Sequence, residues 1–191
     1  MSETSITLQP RTALGGLTPR VDTIGTLTLT ENPGFALASL SARVGQEETC
    51  HAALTALLGA VPGPGEMTRG TPETGFWIGP EAWMITAPFD TREDLAAVLK
   101  TRFRAAASIT EQTDGWVVFD LAGDMIAAAM ELLCPVEIRR MPPGAAQRTV
   151  IDHLGCFVLR PETGDLIRIL GPRSSAGSLH HALLTGMEAV A

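Results

Sequence analysis

The chain has 191 residues, a mass of 20.2 kDa and a net charge of −7, with only 18% charged residues and 45% hydrophobic ones. Low charge with high hydrophobicity excludes intrinsic disorder, and a pI near 5.0 speaks against a nucleic-acid partner, which needs a basic footprint. No stretch supplies 18 uncharged apolar residues, because the longest uncharged run, 49–65, is broken by Pro62 and Pro64, so no membrane partner is expected.

The N-terminus, MSETSITLQP, has neither a basic region nor an apolar core, so it does not read as a secretory leader. Cys50, Cys134 and Cys156 lie far apart without a CxxC. They read as reduced thiols, and the expected localisation is cytoplasmic.

Residues 1–33 are rich in Thr, Gly and Pro and lack helical periodicity. They read as an irregular N-terminal arm with a short strand at 24–30. A single α/β domain is expected over 34–191. Its first strand is 35–42. Over 48–58, Cys50, Ala53, Leu54, Leu57 and Leu58 form one apolar helix face, which Gly59 ends. The Pro/Gly-rich residues 61–75 read as a loop. Strands follow at 76–78 and 82–87 around Gly79-Pro80-Glu81. Thr91 is the expected cap of a helix burying Leu95, Val98, Leu99 and Phe103, and 107–111 is the next strand.

The first half, 34–113, therefore reads β-α-β-β-α-β, the ferredoxin-like or split βαβ pattern. Asp114-Gly115 is a hairpin signal opening the second half, 114–191. Its expected elements are a strand at 116–121 and a helix capped by Asp124 with the stripe Ile126, Ala129, Met130 and Leu133. A loop at 136–147 follows, then strands at 148–153, 156–160 and 166–170, and a last helix from about Ser174. The fold class is thus α/β (α+β), two ferredoxin-like or split βαβ halves sharing one core.

Candidate chemistry is sparse. His180 and His181 are adjacent helical positions about 100° apart, with no partner at ligand spacing. His153 follows Asp152 in an expected strand, so the two point to opposite faces. The 63–70 glycines fit neither GxGxxG nor GxxxxGK(S/T), and no GxSxG or HExxH occurs. Cys134 ends a helix, where the dipole disfavours a thiolate. No catalytic, cofactor-binding or metal-binding residue is expected in this chain. Trp77, Trp83 and Trp116 sit at strand ends, as core packing or as interface anchors. Arg139, Arg140, Arg148 and Arg173 are either solvated or a clamp for a partner's carboxylates.

Two stretches carry a resemblance. Phe76-Trp77-Ile78-Gly79-Pro80-Glu81-Ala82-Trp83-Met84-Ile85 resembles the W-x-G-P-(D/E)-x-W-L-(L/I) signature of the gamma subunit of heterotetrameric sarcosine oxidase. Residues 109–123, ITEQTDGWVVFDLAG, are similar to that family's strand–turn–strand. The following Cys134-Pro135-Val136-Glu137-Ile138 is similar to its C-P-(V/I)-D-(L/I), with Glu for Asp. Arg173-Ser174-Ser175-Ala176 resembles its R-S-(F/Y)-A, with Ser175 for the aromatic.

The resemblance covers roughly 34–190. It implies a fold similar to the folate-binding module of aminomethyltransferases and a non-catalytic structural role beside alpha, beta and delta subunits. In such a complex FAD, FMN, NAD, tetrahydrofolate and zinc are carried on the other chains. The complex demethylates sarcosine oxidatively to glycine, passing formaldehyde to tetrahydrofolate. Two alternatives remain open. One is a related complex acting on another N-methyl amine, such as N-methylglutamate or dimethylglycine. The other is a stand-alone folate-binding module, with Asp114 or Asp120 as the nearest carboxylates for a pterin.

Overall fold

The structure, a computed structural model, describes residues 9–191; the first eight residues of the expected arm lie outside them. The periodicity at 48–58 is realised as helix α1 (Glu47–Leu58), which buries Cys50, Leu54, Leu57 and Leu58. Gly59 ends it in the left-handed region at φ 86°, a conformation that favours glycine. The other elements of this half are β3 (Phe35–Ala42), β4 (Met67–Arg69), β5 (Thr74–Gly79), β6 (Ala82–Pro88), α2 (Leu95–Phe103) and β7 (Ala107–Glu111). The second half holds β8 (Trp116–Ala122), α3 (Ile126–Leu133), β9 (Ala145–Ile151), β10 (Leu154–Arg160), β11 (Leu166–Pro172) and α4 (Ala176–Glu188). Ahead of both come β1 (Val21–Ile24) and β2 (Leu27–Glu31).

The first half forms a five-stranded antiparallel sheet in the order β4-β5-β6-β3-β7. Strand β6 lies between β3 and β5 and is antiparallel to both, which makes those two parallel: a split βαβ unit with β4 as an added edge. The second sheet runs β1-β2-β8-β11-β10-β9. Its core repeats the first, with β8, β9, β10 and β11 in the places of β3, β4, β5 and β6. Among the described residues no strand after α4 takes the place of β7. Strand β2 fills that place instead, antiparallel to β8 from Thr28 opposite Ala122 to Glu31 opposite Phe119. The hydrogen bonds repeat as well: Gln112 N–H donates to Leu37 O at 2.9 Å, and Asn32 N–H donates to Val118 O at 2.8 Å. The irregular arm expected over 1–33 is therefore corrected for 21–31. That segment is a hairpin completing the second half.

The two sheets face each other, with helices outside. Leu37, Phe76 and Met84 of one sheet pack against Val118, Phe157, Leu159 and Leu170 of the other. Alternate residues on the same strands point the opposite way, as the two-residue period requires. Ala36, Ala38 and Leu40 meet α1 and α2, and Val117, Phe119 and Leu121 meet α3 and α4. Strands buried on both faces absorb much of the chain's apolar surplus. At one edge the sheets join directly: Met67 N–H donates to Gly144 O at 2.8 Å and Ala146 N–H to Gly65 O at 2.9 Å.

Several local expectations are corrected. Strand β4 forms inside the expected 61–75 loop, held by that edge junction. The cap of α2 is Asp94, which accepts from Ala97 N–H at 3.0 Å, rather than Thr91. Its buried face takes Ala96, while Val98 is 43% exposed. Helix α3 starts after Met125 with no side-chain cap, so Asp124 does not cap it. Asp114-Gly115 lies in a 3-10 turn carrying the chain from one sheet to the other, not in a hairpin. Strand β9 begins at Ala145, inside the expected 136–147 loop, and ends before Asp152 and His153. These two residues make the β9–β10 turn at φ 46° and 67°.

The β1–β2 hairpin is fastened by side chains. Glu31, 2% exposed, accepts from Leu14 N–H at 2.9 Å and Arg20 N–H at 3.2 Å. Asp22 takes Arg20 Nε at 2.9 Å and lies 2.7 Å from His180 Nε2 on α4. The Arg20 hydrogen bond, with His180 adding to it against the cost of burial, holds the Asp22 carboxyl below its usual pKa. A carboxylate depressed in the folded state stabilises above its unfolded pKa, and that stability is lost as pH falls through the folded value. Asp22→Asn is therefore expected to be less stable than the parent at pH 7. The gap should close as pH falls below about 4. Urea unfolding of both chains across pH 3–7 checks this.

Candidate functional site

The tryptophan-bearing hairpin is β5–β6, where Trp77 and Trp83 are cross-strand neighbours. Trp83 is 2% exposed and donates its Nε1–H to Pro62 O at 2.9 Å. It is a core side chain, which removes it from the candidate interface residues. His51 of α1 meets the Trp83 ring edge-on at 5.6 Å and places Nε2 2.6 Å from Glu81 Oε2. Glu81 sits in the hairpin turn at φ 52°. The segment's residue types are thus explained by packing: one indole inserted, one turn carboxylate tied to a helix. Trp77 and Trp116 are half-buried, and Trp116 donates to Gln112 Oε1 at 3.3 Å.

The arginines do not converge. Arg139 pairs with Glu131 of α3 at 2.6 Å, and Arg140 lies 3.7 Å from Glu137. Arg173 begins the turn into α4. It donates to Arg11 O at 3.0 Å and stands 3.7 Å from Asp114. With Trp116 and Phe89 it lines a cavity of about 210 Å³ under residues 10–13. A joint clamp of Arg139, Arg140 and Arg173 is therefore not formed.

Neither candidate pterin carboxylate stands unpaired in a pocket. The Asp114 side chain is 92% exposed. Asp120 accepts Arg168 Nε at 2.7 Å, Arg168 Nη2 at 2.9 Å and Asn32 Nδ2 at 2.7 Å. The Arg168 guanidinium also lies 4.3 Å over the Phe35 ring. This network was hidden in the sequence because Asp120 and Arg168 become cross-strand partners only through the β8–β11 register. Its Arg168 and Phe35 line a second cavity, of about 230 Å³, between the two sheets.

The three cysteines are free and buried. Burial pushes the Cys50 and Cys156 thiols up to about 11 and raises Cys134 as well. Such thiols are poor nucleophiles at neutral pH. His180 is paired with Asp22, and His181 is exposed. Among the described residues, no three His, Cys, Asp or Glu side chains cluster as a metal site would require. No described helix is long and apolar enough to cross a membrane.

No protein-family model matches this sequence, and no curated sequence matches it. Solved structures do match by fold. A chain of the heterotetrameric sarcosine oxidase from Corynebacterium sp. U-96, in complex with pyrrole 2-carboxylate, is similar with a TM-score of 0.74 and 23% identity. The match covers 85% of this chain and 84% of that one, so the two are of nearly equal length. The glycine cleavage system aminomethyltransferase T from Bartonella henselae is similar with a TM-score of 0.64 and 15% identity, over 83% of this chain and 45% of that chain. This chain thus spans about half of the aminomethyltransferase. The paired split-βαβ fold described above is the fold these proteins share.

Proposed function

We propose that this chain is a non-catalytic structural subunit of a sarcosine oxidase-type flavoenzyme complex, the counterpart of its gamma subunit. The observation that carries the reading is the end-to-end fold match, at nearly equal length, to a chain of a heterotetrameric sarcosine oxidase. The residues support it in two ways. The tryptophan hairpin carries the family's spacing, and its Trp83 and Glu81 have packing roles that need that spacing. The side chains with chemical potential are already engaged: Asp120 by Arg168 and Asn32, His180 by Asp22, and the thiols by burial.

In this reading the partners are alpha, beta and delta chains, which carry FAD, FMN, NAD, tetrahydrofolate and zinc, and the complex demethylates sarcosine. The outer face of α3 suits a partner surface. The helix is apolar except for Glu131, and it exposes Leu132 at 63% with Met125 just before it at 41%. Co-expression with candidate large flavin-bearing chains from the same source should give co-elution in size-exclusion chromatography, and Leu132→Glu should weaken it. A 20 kDa monomer that ignores those chains would overturn the reading. Oxidation assays on the assembled complex then identify the N-methyl substrate.

A further inference from the structure

We propose that the cavity between the two sheets is a binding site for a small monocarboxylate with a ring-sized apolar body, its acid group held by Arg69 and Arg168. The cavity, about 230 Å³, exceeds the ~150 Å³ of an apolar cavity that accepts benzene. Its floor is apolar and comes from both sheets: Leu37 and Phe76 from one, Val118, Leu159 and Leu170 from the other.

Around this floor stand hydrogen-bonding groups without partners. Thr74 and Thr86 face each other across β5 and β6 and both line the cavity. Neither hydroxyl is bonded to another described side chain or backbone group. Arg168 commits Nε and Nη2 to Asp120, leaving the Nη1 donors unbonded. Asp120 and the stacked Phe35 ring fix that guanidinium in place, so its remaining edge is preorganised. Arg69, on the exposed end of β4, also lines the cavity and makes no ion pair with the described residues.

A guanidinium can donate but never accept, so the ligand must supply acceptors above an apolar body. A carboxylate on a ring does so and takes a bidentate contact well. Charge limits it to one acid group. Asp120 already neutralises Arg168, so Arg69 is the one lining cation without a paired carboxylate among the described residues, and Glu162 also lines the cavity. This site is built from this chain's own residues and stands whether or not the subunit reading holds.

The test titrates the full chain with benzoate, and with benzamide as its neutral isostere, by saturation-transfer NMR. Benzoate should bind saturably, about tenfold tighter than benzamide. Arg69→Gln should weaken benzoate by about tenfold and leave benzamide unchanged. Glu162→Gln should tighten benzoate by about twofold, because it removes an exposed like charge. Both substitutions are at exposed positions, so the fold is retained. Equal affinity for the two probes, an Arg69→Gln chain that binds benzoate as the parent does, or no saturation by either probe would each overturn the proposal.

Discussion

Replacing Gly123 with alanine is expected to lower the unfolding free energy by about 4 kcal/mol, the combined cost of a forbidden backbone and an overpacked contact. Gly123 ends β8 at φ 124°, a conformation that L side chains rarely adopt. A Cβ there would collide with Thr26 O and stand 2.9 Å from Thr26 C. Those are backbone atoms of the β1–β2 turn, so they cannot rotate aside as a side chain would. Alanine must either move the turn or break the Thr28–Ala122 register beside it. Gly45 is the control: it is also left-handed, at φ 78°, yet a Cβ there meets nothing within 4 Å. Gly45→Ala should therefore cost only about 1–2 kcal/mol, the price of the backbone conformation alone. Urea unfolding of the two variants separates the effects. Equal losses would mean that the hairpin is not anchored against β8.

That hairpin is also where sequence reading fell short, for a physical reason. Helix α1 was legible because its signal is local: the spacing Cys50, Leu54, Leu57, Leu58 and a stop at Gly59 need no knowledge of the rest of the chain. Strands β3, β6, β8 and β10 were legible from their own composition. Strand β2 was harder, since its partner β8 lies some ninety residues away and its half completes only when the N-terminus returns to it. The usable clue was Gly123, a glycine at the end of a well-formed strand, which signals a close backbone approach. The Asp152-His153 turn offered no glycine, and its left-handed backbone is imposed by the β9–β10 register. The Asp120–Arg168 pair at the inter-sheet cavity was invisible for the same reason. Opposite charges on two strands pair only after the register is known. The resemblance motifs located the tryptophan hairpin, but its chemistry proved to be packing, with Trp83 inside the core.

Phe76→Ala is expected to cost about 3–5 kcal/mol, the range for emptying a buried aromatic site, and to weaken both halves of the chain together. Phe76 of β5 is fully buried, and Phe157 of β10 is 5% exposed. Their rings meet at 5.3 Å with an interplanar angle of 61°, an edge-to-face arrangement. The contact lies where the two sheets face each other, among Leu37, Met84, Val118 and Leu170. Removing it uncovers apolar surface on both sheets at once, so neither half keeps its inner face sealed. With total stabilities of about 5–15 kcal/mol for a domain, such a loss is a large fraction of the whole.

A double-mutant cycle with Phe157→Ala should show a coupling of about 1 kcal/mol. In amide exchange, protection should fall equally in β3 and β11, one strand from each half. If protection fell only in the half carrying the substitution, the halves would be separate folding units joined by a chain. The backbone bonds that cross between them, Met67 to Gly144 and Ala146 to Gly65, favour a single unit. The halves join at that edge and share the apolar layer between the sheets.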